Sequence, residues 1–140
     1  MSSKIVVFTD GGSLNNPGKA ASAFLIYKDG KLLHKHKERI GIASNNVAEY
    51  TALIQALTYV RDKVTSYELR VTSLDVVSDS LLLVSQVNGV YKVKHANIKP
   101  LHSQVKMLEM QIGLPILYTH VLREKNQEAD ALVKEALTSL

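Results

Sequence analysis

A carboxylate on the buried face of a helix limits what this chain can fold into. Between Val47 and Val60, residues Leu53, Ala56, Leu57 and Val60 recur at the i, i+3, i+4, i+7 spacing of a buried stripe. Glu49 lies on that stripe, four residues before Leu53. An ionised side chain aimed inward must be neutralised or meet a cation, because leaving water unpaired is costly. Three more acids hold comparable positions: Asp10 and Asp79 each follow an apolar strand, and Asp130 sits in the first turn of a C-terminal helix. Acids that meet in one place are suited to holding a divalent metal.

The rest of the composition narrows the chemistry. A chain of 140 residues, 46% of them hydrophobic, suffices for a single domain over 1–140 that buries roughly two-thirds of its unfolded surface. The N-terminus lacks the pattern of a signal peptide, and no stretch approaches the roughly 20 apolar residues of a membrane span. A soluble, cytoplasmic monomer is the expectation. With no cysteine there is no thiolate site, so a metal would be held by oxygen or imidazole, which favours Mg2+ or Mn2+. The net charge of +4 is compatible with a polyanionic partner, though not specific for one.

Along the chain, Lys4–Thr9 is a short β-branched run ending at Asp-Gly-Gly-Ser and reads as a buried strand. A loop over Leu14–Ala20 leads to a second strand, Ser22–Lys28, which Asp29-Gly30 joins as a hairpin to a third, Lys31–Ile40. Lys31, Lys35, Lys37 and Arg39 place that third strand at a sheet edge, where charge blocks pairing with other chains. After the Glu49 helix come a fourth strand, Leu74–Ser78, a short helix, Ser80–Val87, ending at Asn88-Gly89, and a helix over Ile98–Gln111. A fifth strand, Ile116–Val121, and a last helix, Asn126–Thr138, complete the order; Asp62–Ser73 carries no clear signal. This is an α/β pattern, a five-stranded mixed sheet flanked by helices.

Taken singly, each acid has an ordinary structural duty. Asp10 before two glycines could shape a turn, Asp79 before Ser80 could cap a helix, and Asp130 could favour a helix dipole. Glu49 could belong to a capping box with Asn45 or Asn46 as the cap. These duties do not explain why all four acids end elements that a mixed sheet can bring to one edge, where open α/β sheets carry their sites.

Four segments together resemble a known family. Phe8-Thr-Asp-Gly-Gly-Ser13 with Asn16-Pro-Gly18, Ser44-Asn-Asn-Val-Ala-Glu-Tyr-Thr-Ala-Leu53, Val77-Ser-Asp-Ser80, and Arg123-Glu-Lys-Asn-Gln-Glu-Ala-Asp-Ala-Leu132 are similar to the signature blocks of type 1 ribonuclease H, in the family's order. The resemblance implies the ribonuclease H fold and endonucleolytic cleavage of the RNA strand of RNA/DNA hybrids, leaving 5′-phosphate and 3′-hydroxyl ends. It implies that Asp10, Glu49, Asp79 and Asp130 are the catalytic and metal-holding carboxylates for two Mg2+ ions, with Mn2+ able to substitute. Asp10 would bridge both ions, Asp130 would complete the nucleophile side, and Glu49 and Asp79 the leaving-group side. Asn16, Asn45, Asn46, Ser80 and Asn126 match positions that contact the hybrid or orient the site.

Two departures from the family pattern bear on mechanism. Many members carry a flexible Gly- and His-containing loop before the last helix, whereas here only His120-Val-Leu-Arg-Glu-Lys-Asn126 stands there. Arg123 or Glu124 could serve in its place. Some members also insert a basic helix and protrusion within the segment matching Gly89–Pro100, where this chain has Tyr91, Lys92, Lys94, His95 and Lys99. The compact layout is similar to archaeal and some bacterial members, and weaker discrimination against double-stranded RNA is expected. The alternatives are a DNA-acting nuclease of the same fold and a non-catalytic nucleic-acid-binding module. The asparagine set argues against the first, because DNA has no 2′-hydroxyl to read, and retention of all four acids argues against the second.

Overall fold

Asp29 and Gly30 turn the chain with φ of 51° and 84°, the pair of positive values with which a two-residue hairpin matches the twist of its strands. In the computed structural model, which describes residues 3–64 and 71–139, this turn joins β2 (Gly18–Lys28) to β3 (Lys31–Ala43). The remaining elements are β1 (Ser3–Ser13), α1 (Asn45–Tyr59), β4 (Val71–Ser78), α2 (Leu81–Val87), α3 (Lys99–Ile112), β5 (Ile116–His120) and α4 (Gln127–Thr138). The strands form one sheet in the order β3-β2-β1-β4-β5. β1 pairs antiparallel with β2 and β2 with β3, whereas β1–β4 and β4–β5 are parallel. The sheet is therefore mixed, and β3 lies at its edge as its cations foretold.

Each face of the sheet carries its own helices. Ile5, Val7, Leu74 and Val76 meet Leu53, Leu57 and Val105 from α1 and α3 in the main core. On the other face α4 lays Val133 and Ala136 on Ala21 and Ala23, small residues that allow close approach. Lys37 (2.9 Å to Glu135) and Arg39 (Nε to the Ala136 carbonyl, 2.7 Å) fasten the edge strand to that helix. At the end of α3, Gly113 takes φ 69° and its N–H reaches the Glu109 carbonyl, the usual left-handed cap.

The observed strands outrun the sequence signals. β1 continues through Asp10-Gly-Gly-Ser13 because these residues pair with Ala23, Ser22, Ala21 and Ala20; the ladder satisfies their backbone groups and overrides the low strand propensity of glycine. The loop shrinks to residues 14–17, and Asn16-Pro17 is a cis peptide. α1 passes at Val60 into a π-helical turn, Val60–Val64. That turn from Asp62 onward and the start of β4 fall within the stretch that carried no signal; its residues 65–70 lie outside the described residues.

Candidate active site

The parallel pairing of β1 with β4 puts Thr9 beside Ser78, so Asp10 and Asp79 emerge together at the carboxyl ends of neighbouring strands, the usual site-bearing edge of such sheets. Glu49 arrives from α1, and Gly11 lets it come close. A β-carbon at Gly11 would run into the Ala48 carbonyl and the Glu49 amide nitrogen, so only glycine permits α1 to lie on β1 there. One carboxylate oxygen from each of Asp10, Glu49 and Asp79 can be chosen so that all three lie within 4.8 Å of one another.

Asp130 stands slightly apart from this trio. Its Oδ2 is 3.0 Å from Lys134 Nζ, and its Oδ1 is 3.8 Å from Arg123 Nε, which is also 3.9 Å from Asp79 Oδ2. Asp130 still raises the Asp10 pKa through its charge. Arg123 thus bridges the two acids across the mouth of the site.

The electrostatics are those of an acid cluster that needs a cation. Burial first, then the charges of Asp79 and Asp130, push Asp10 from the ordinary carboxylate value of 3.8 to about 7, against the opposing Gly11 N–H and Arg123. Burial, Asp10 and Asp79 likewise push Glu49 well above its ordinary value, with Arg123 again opposing. The Glu49 Oε2 atom is buried without a hydrogen-bond partner, an arrangement that carries a desolvation cost unless something else satisfies it. An all-oxygen donor set with an orphaned buried carboxylate oxygen fits a hard divalent cation such as Mg2+ or Mn2+.

Asp10, Glu49 and Asp130 open into a cleft of about 500 Å³ lined in part by Asn45, Asn46, Ser80, Arg123 and Lys134. Ser44, rather than Asn45 or Asn46, caps α1, accepting from the Val47 N–H at 3.2 Å. With Ser44 as cap, Glu49 lies two residues beyond the third helical position that a capping box requires, and that alternative fails. Asn45 is instead engaged by its neighbours: its Oδ1 accepts from Ser13 N and Oγ at 2.9 and 3.0 Å, and its backbone N–H donates to Asn16 Oδ1 at 2.9 Å. Ser80 caps α2 through Leu83 N–H at 3.1 Å, while Ser78 Oγ accepts from the Ser80 N–H at 3.1 Å.

Asn126 has no side-chain capping bond. It is 2% exposed, and its Nδ2 donates to the Thr9 carbonyl at 2.9 Å, which ties the start of α4 to β1 beside Asp10. Glu124 faces a different hollow, shared with Phe8, Lys125 and Glu128, so of the two auxiliary candidates only Arg123 reaches the cleft. His120 is exposed at the end of β5, opposite Ser78, and is absent from the cleft wall. Gly11, Ser13, Ser44, Ser78 and Lys134 escaped sequence reasoning. Lys134 alone left a usable trace, since an acid four residues before a lysine marks one helix face.

Comparisons with known proteins place the chain in a family. The RNase H family model matches residues 2–138. A protein of Mycobacterium tuberculosis described as the bifunctional protein Rv2228c is 37% identical over 136 residues, covering 96% of this chain and 35% of that protein. The ribonuclease HI of Halobacterium salinarum is 33% identical, covering 96% of this chain and 64% of its own length. This chain therefore spans about a third of the mycobacterial relative and just under two-thirds of the halobacterial one. Among solved structures, LC11-RNase H1 in complex with an RNA/DNA hybrid superposes with a TM-score of 0.87 at 38% identity, covering 94% of this chain and 95% of that one. RNase H1 from Halobacterium salinarum gives 0.88 at 30% identity, covering 98% and 99%. On sequence and fold, the chain belongs to the type 1 branch of the RNase H family.

Proposed function

We propose that the chain is a divalent-metal-dependent endonuclease that hydrolyses the RNA strand of RNA/DNA hybrids, leaving 5′-phosphate and 3′-hydroxyl ends. The observation that carries this reading is the meeting of Asp10, Glu49 and Asp79 within 4.8 Å, two of them held above their ordinary pKa. The substrate class follows from family membership and from a solved relative bound to such a hybrid.

Two Mg2+ ions, or Mn2+ in their place, would supply charge stabilisation at the attacking and leaving oxygens of an in-line displacement. Asp10, Glu49, Asp79 and Asp130 would hold them, Asp10 being close enough to each of the other three to interact with its charge. Arg123, bridging Asp79 and Asp130, places positive charge where a scissile phosphate would lie. The Asn45 oxygen is committed to Ser13 and the Asn16 oxygen to Asn45, which leaves both side-chain amides as donors. Such donors suit the 2′-hydroxyl, the group that distinguishes RNA from DNA. Asn46 and Ser80 would join Asn45 at the cleft wall, with Asn16 behind Asn45, while Asn126, buried beneath, positions the start of α4. With no basic protrusion, weaker discrimination against double-stranded RNA is part of the reading.

The test is cleavage of RNA/DNA hybrid labelled on one strand at a time, beside double-stranded RNA and double-stranded DNA, in Mg2+ and in EDTA. The reading expects metal-dependent internal cuts in the hybrid's RNA strand, with slower cutting of double-stranded RNA. Cuts confined to DNA would replace it with a DNA-acting nuclease. Binding without cleavage of any duplex would replace it with a non-catalytic module.

A further inference from the structure

We infer that the hydrogen bond between Tyr50 and Gln86 sets the separation of Glu49 from Asp79, making these two residues positioning residues for the cation site. The inference rests on the metal-site reading above. Tyr50 follows Glu49 on α1 and is 1% exposed, and its hydroxyl donates to Gln86 Oε1 at 2.7 Å. Gln86 is 6% exposed and lies on α2, the seven-residue helix that begins two residues after Asp79. One bond therefore joins the two elements that present Glu49 and Asp79.

The surroundings make that bond selective. Its neighbours in the main core are apolar, among them Leu53, Leu83, Val84 and Val105, and apolar side chains alone tolerate small slides of one helix on another. A buried donor–acceptor pair does not, because displacement leaves both groups unsatisfied in a medium that cannot replace water. Gln86 is itself held. Its backbone carbonyl faces His102 Nε2 at 3.3 Å, and the next carbonyl, that of Val87, accepts from Lys106 Nζ at 2.6 Å, both on α3. α2 is thus fixed at its far end while Tyr50 fixes it against α1. Carboxylate oxygens must come within about 2.1 Å of a shared Mg2+, so a drift of about 1 Å between these helices is enough to spoil the site.

The test is Mn2+ binding by calorimetry to the folded protein without nucleic acid, for the wild type, Tyr50→Phe, Gln86→Met and the double variant. Tyr118→Phe is the control: Tyr118 is 7% exposed, and its hydroxyl donates to Glu109 Oε2 on α3 at 2.7 Å rather than to either element that presents Glu49 or Asp79. The inference expects Tyr50→Phe and Gln86→Met each to raise the Mn2+ dissociation constant about five- to tenfold. The double variant should be no worse than either single change, since all remove one interaction, and Tyr118→Phe should stay within about twofold of the wild type. Unchanged affinity in both single variants, or an equal loss in Tyr118→Phe, overturns the inference while leaving the metal-site reading intact. Should the wild type bind no Mn2+ that Asp10→Asn abolishes, the reading itself fails and takes the inference with it.

Discussion

Asn126 and Thr9, 117 residues apart in sequence, are joined by a buried hydrogen bond of 2.9 Å from the asparagine amide to the threonine carbonyl. Thr9 precedes Asp10, and Asn126 lies one helical turn before Asp130, so this bond ties together the two elements that present those acids. Replacing Asn126 with alanine should cost about 1–3 kcal/mol, the penalty for stranding a buried carbonyl, and should lower activity more than stability accounts for. Urea unfolding and nuclease rates on the same preparations measure both; an Asn126→Ala protein with wild-type activity would remove its positioning role.

Gly11 is a second structural hinge-point of the site. A methyl group there meets the Ala48 and Glu49 backbone rather than a movable side chain, so Gly11→Ala should destabilise by about 3 kcal/mol or more, among the largest single-site effects expected. Thermal unfolding decides the matter, and a melting temperature unchanged from wild type would mean that α1 does not rest on β1 as described.

In EDTA, stability should fall as pH rises from about 4 to 7. Folded Asp10 keeps its proton up to about 7, whereas the unfolded side chain releases it near 3.8, so across that window the folded state binds more protons and each rise in pH favours unfolding. Glu49 is shifted in the same direction. Asp10→Asn should flatten the slope and melt about 3–6 °C above the wild type at pH 8 without metal. Divalent cation should remove the wild-type deficit, because it binds the deprotonated carboxylates. A melting temperature that climbs between pH 5 and 8 in EDTA would contradict this electrostatic picture.

The edge-strand ion pair offers a contrast. Lys37 and Glu135 are 2.9 Å apart, but their side chains are 43% and 57% exposed, and solvent screening leaves such pairs little net effect on stability. Lys37→Ala should therefore leave the chemical-denaturation midpoint close to that of the wild type, and a large fall in the midpoint would contradict this.

Much of this was legible before any coordinates. Asp29-Gly30 announced its hairpin, the lysines of β3 announced an edge, and Glu49 betrayed itself by lying on a buried stripe. The order of the nine strands and α-helices among the described residues follows from apolar periodicity and turn residues. What could not be read depends on long-range contact. Gly11 reads locally as a turn glycine, and only the approach of α1 shows that it is a packing glycine inside a strand. Asn45 and Asn46 read as caps because Ser44 beside them is an equally good one, and the choice was made by Ser13 and Asn16, distant residues that claim Asn45. Asn126 stands at the N-cap position of α4, yet its amide goes to a carbonyl on β1. The split of the acids into a tight trio and an Asp130 held by Lys134 and Arg123 is likewise a tertiary fact.

The central claim is that these carboxylates jointly hold the cation on which RNA-strand hydrolysis depends. Its most direct measurement is the rate of internal RNA cleavage in an RNA/DNA hybrid at saturating Mg2+, for the wild type and for Asp10→Asn matched by circular dichroism. The account predicts a loss of at least about a thousandfold, roughly 4 kcal/mol of transition-state stabilisation, with the fold unchanged. A folded Asp10→Asn protein that cuts within about tenfold of the wild-type rate would contradict it.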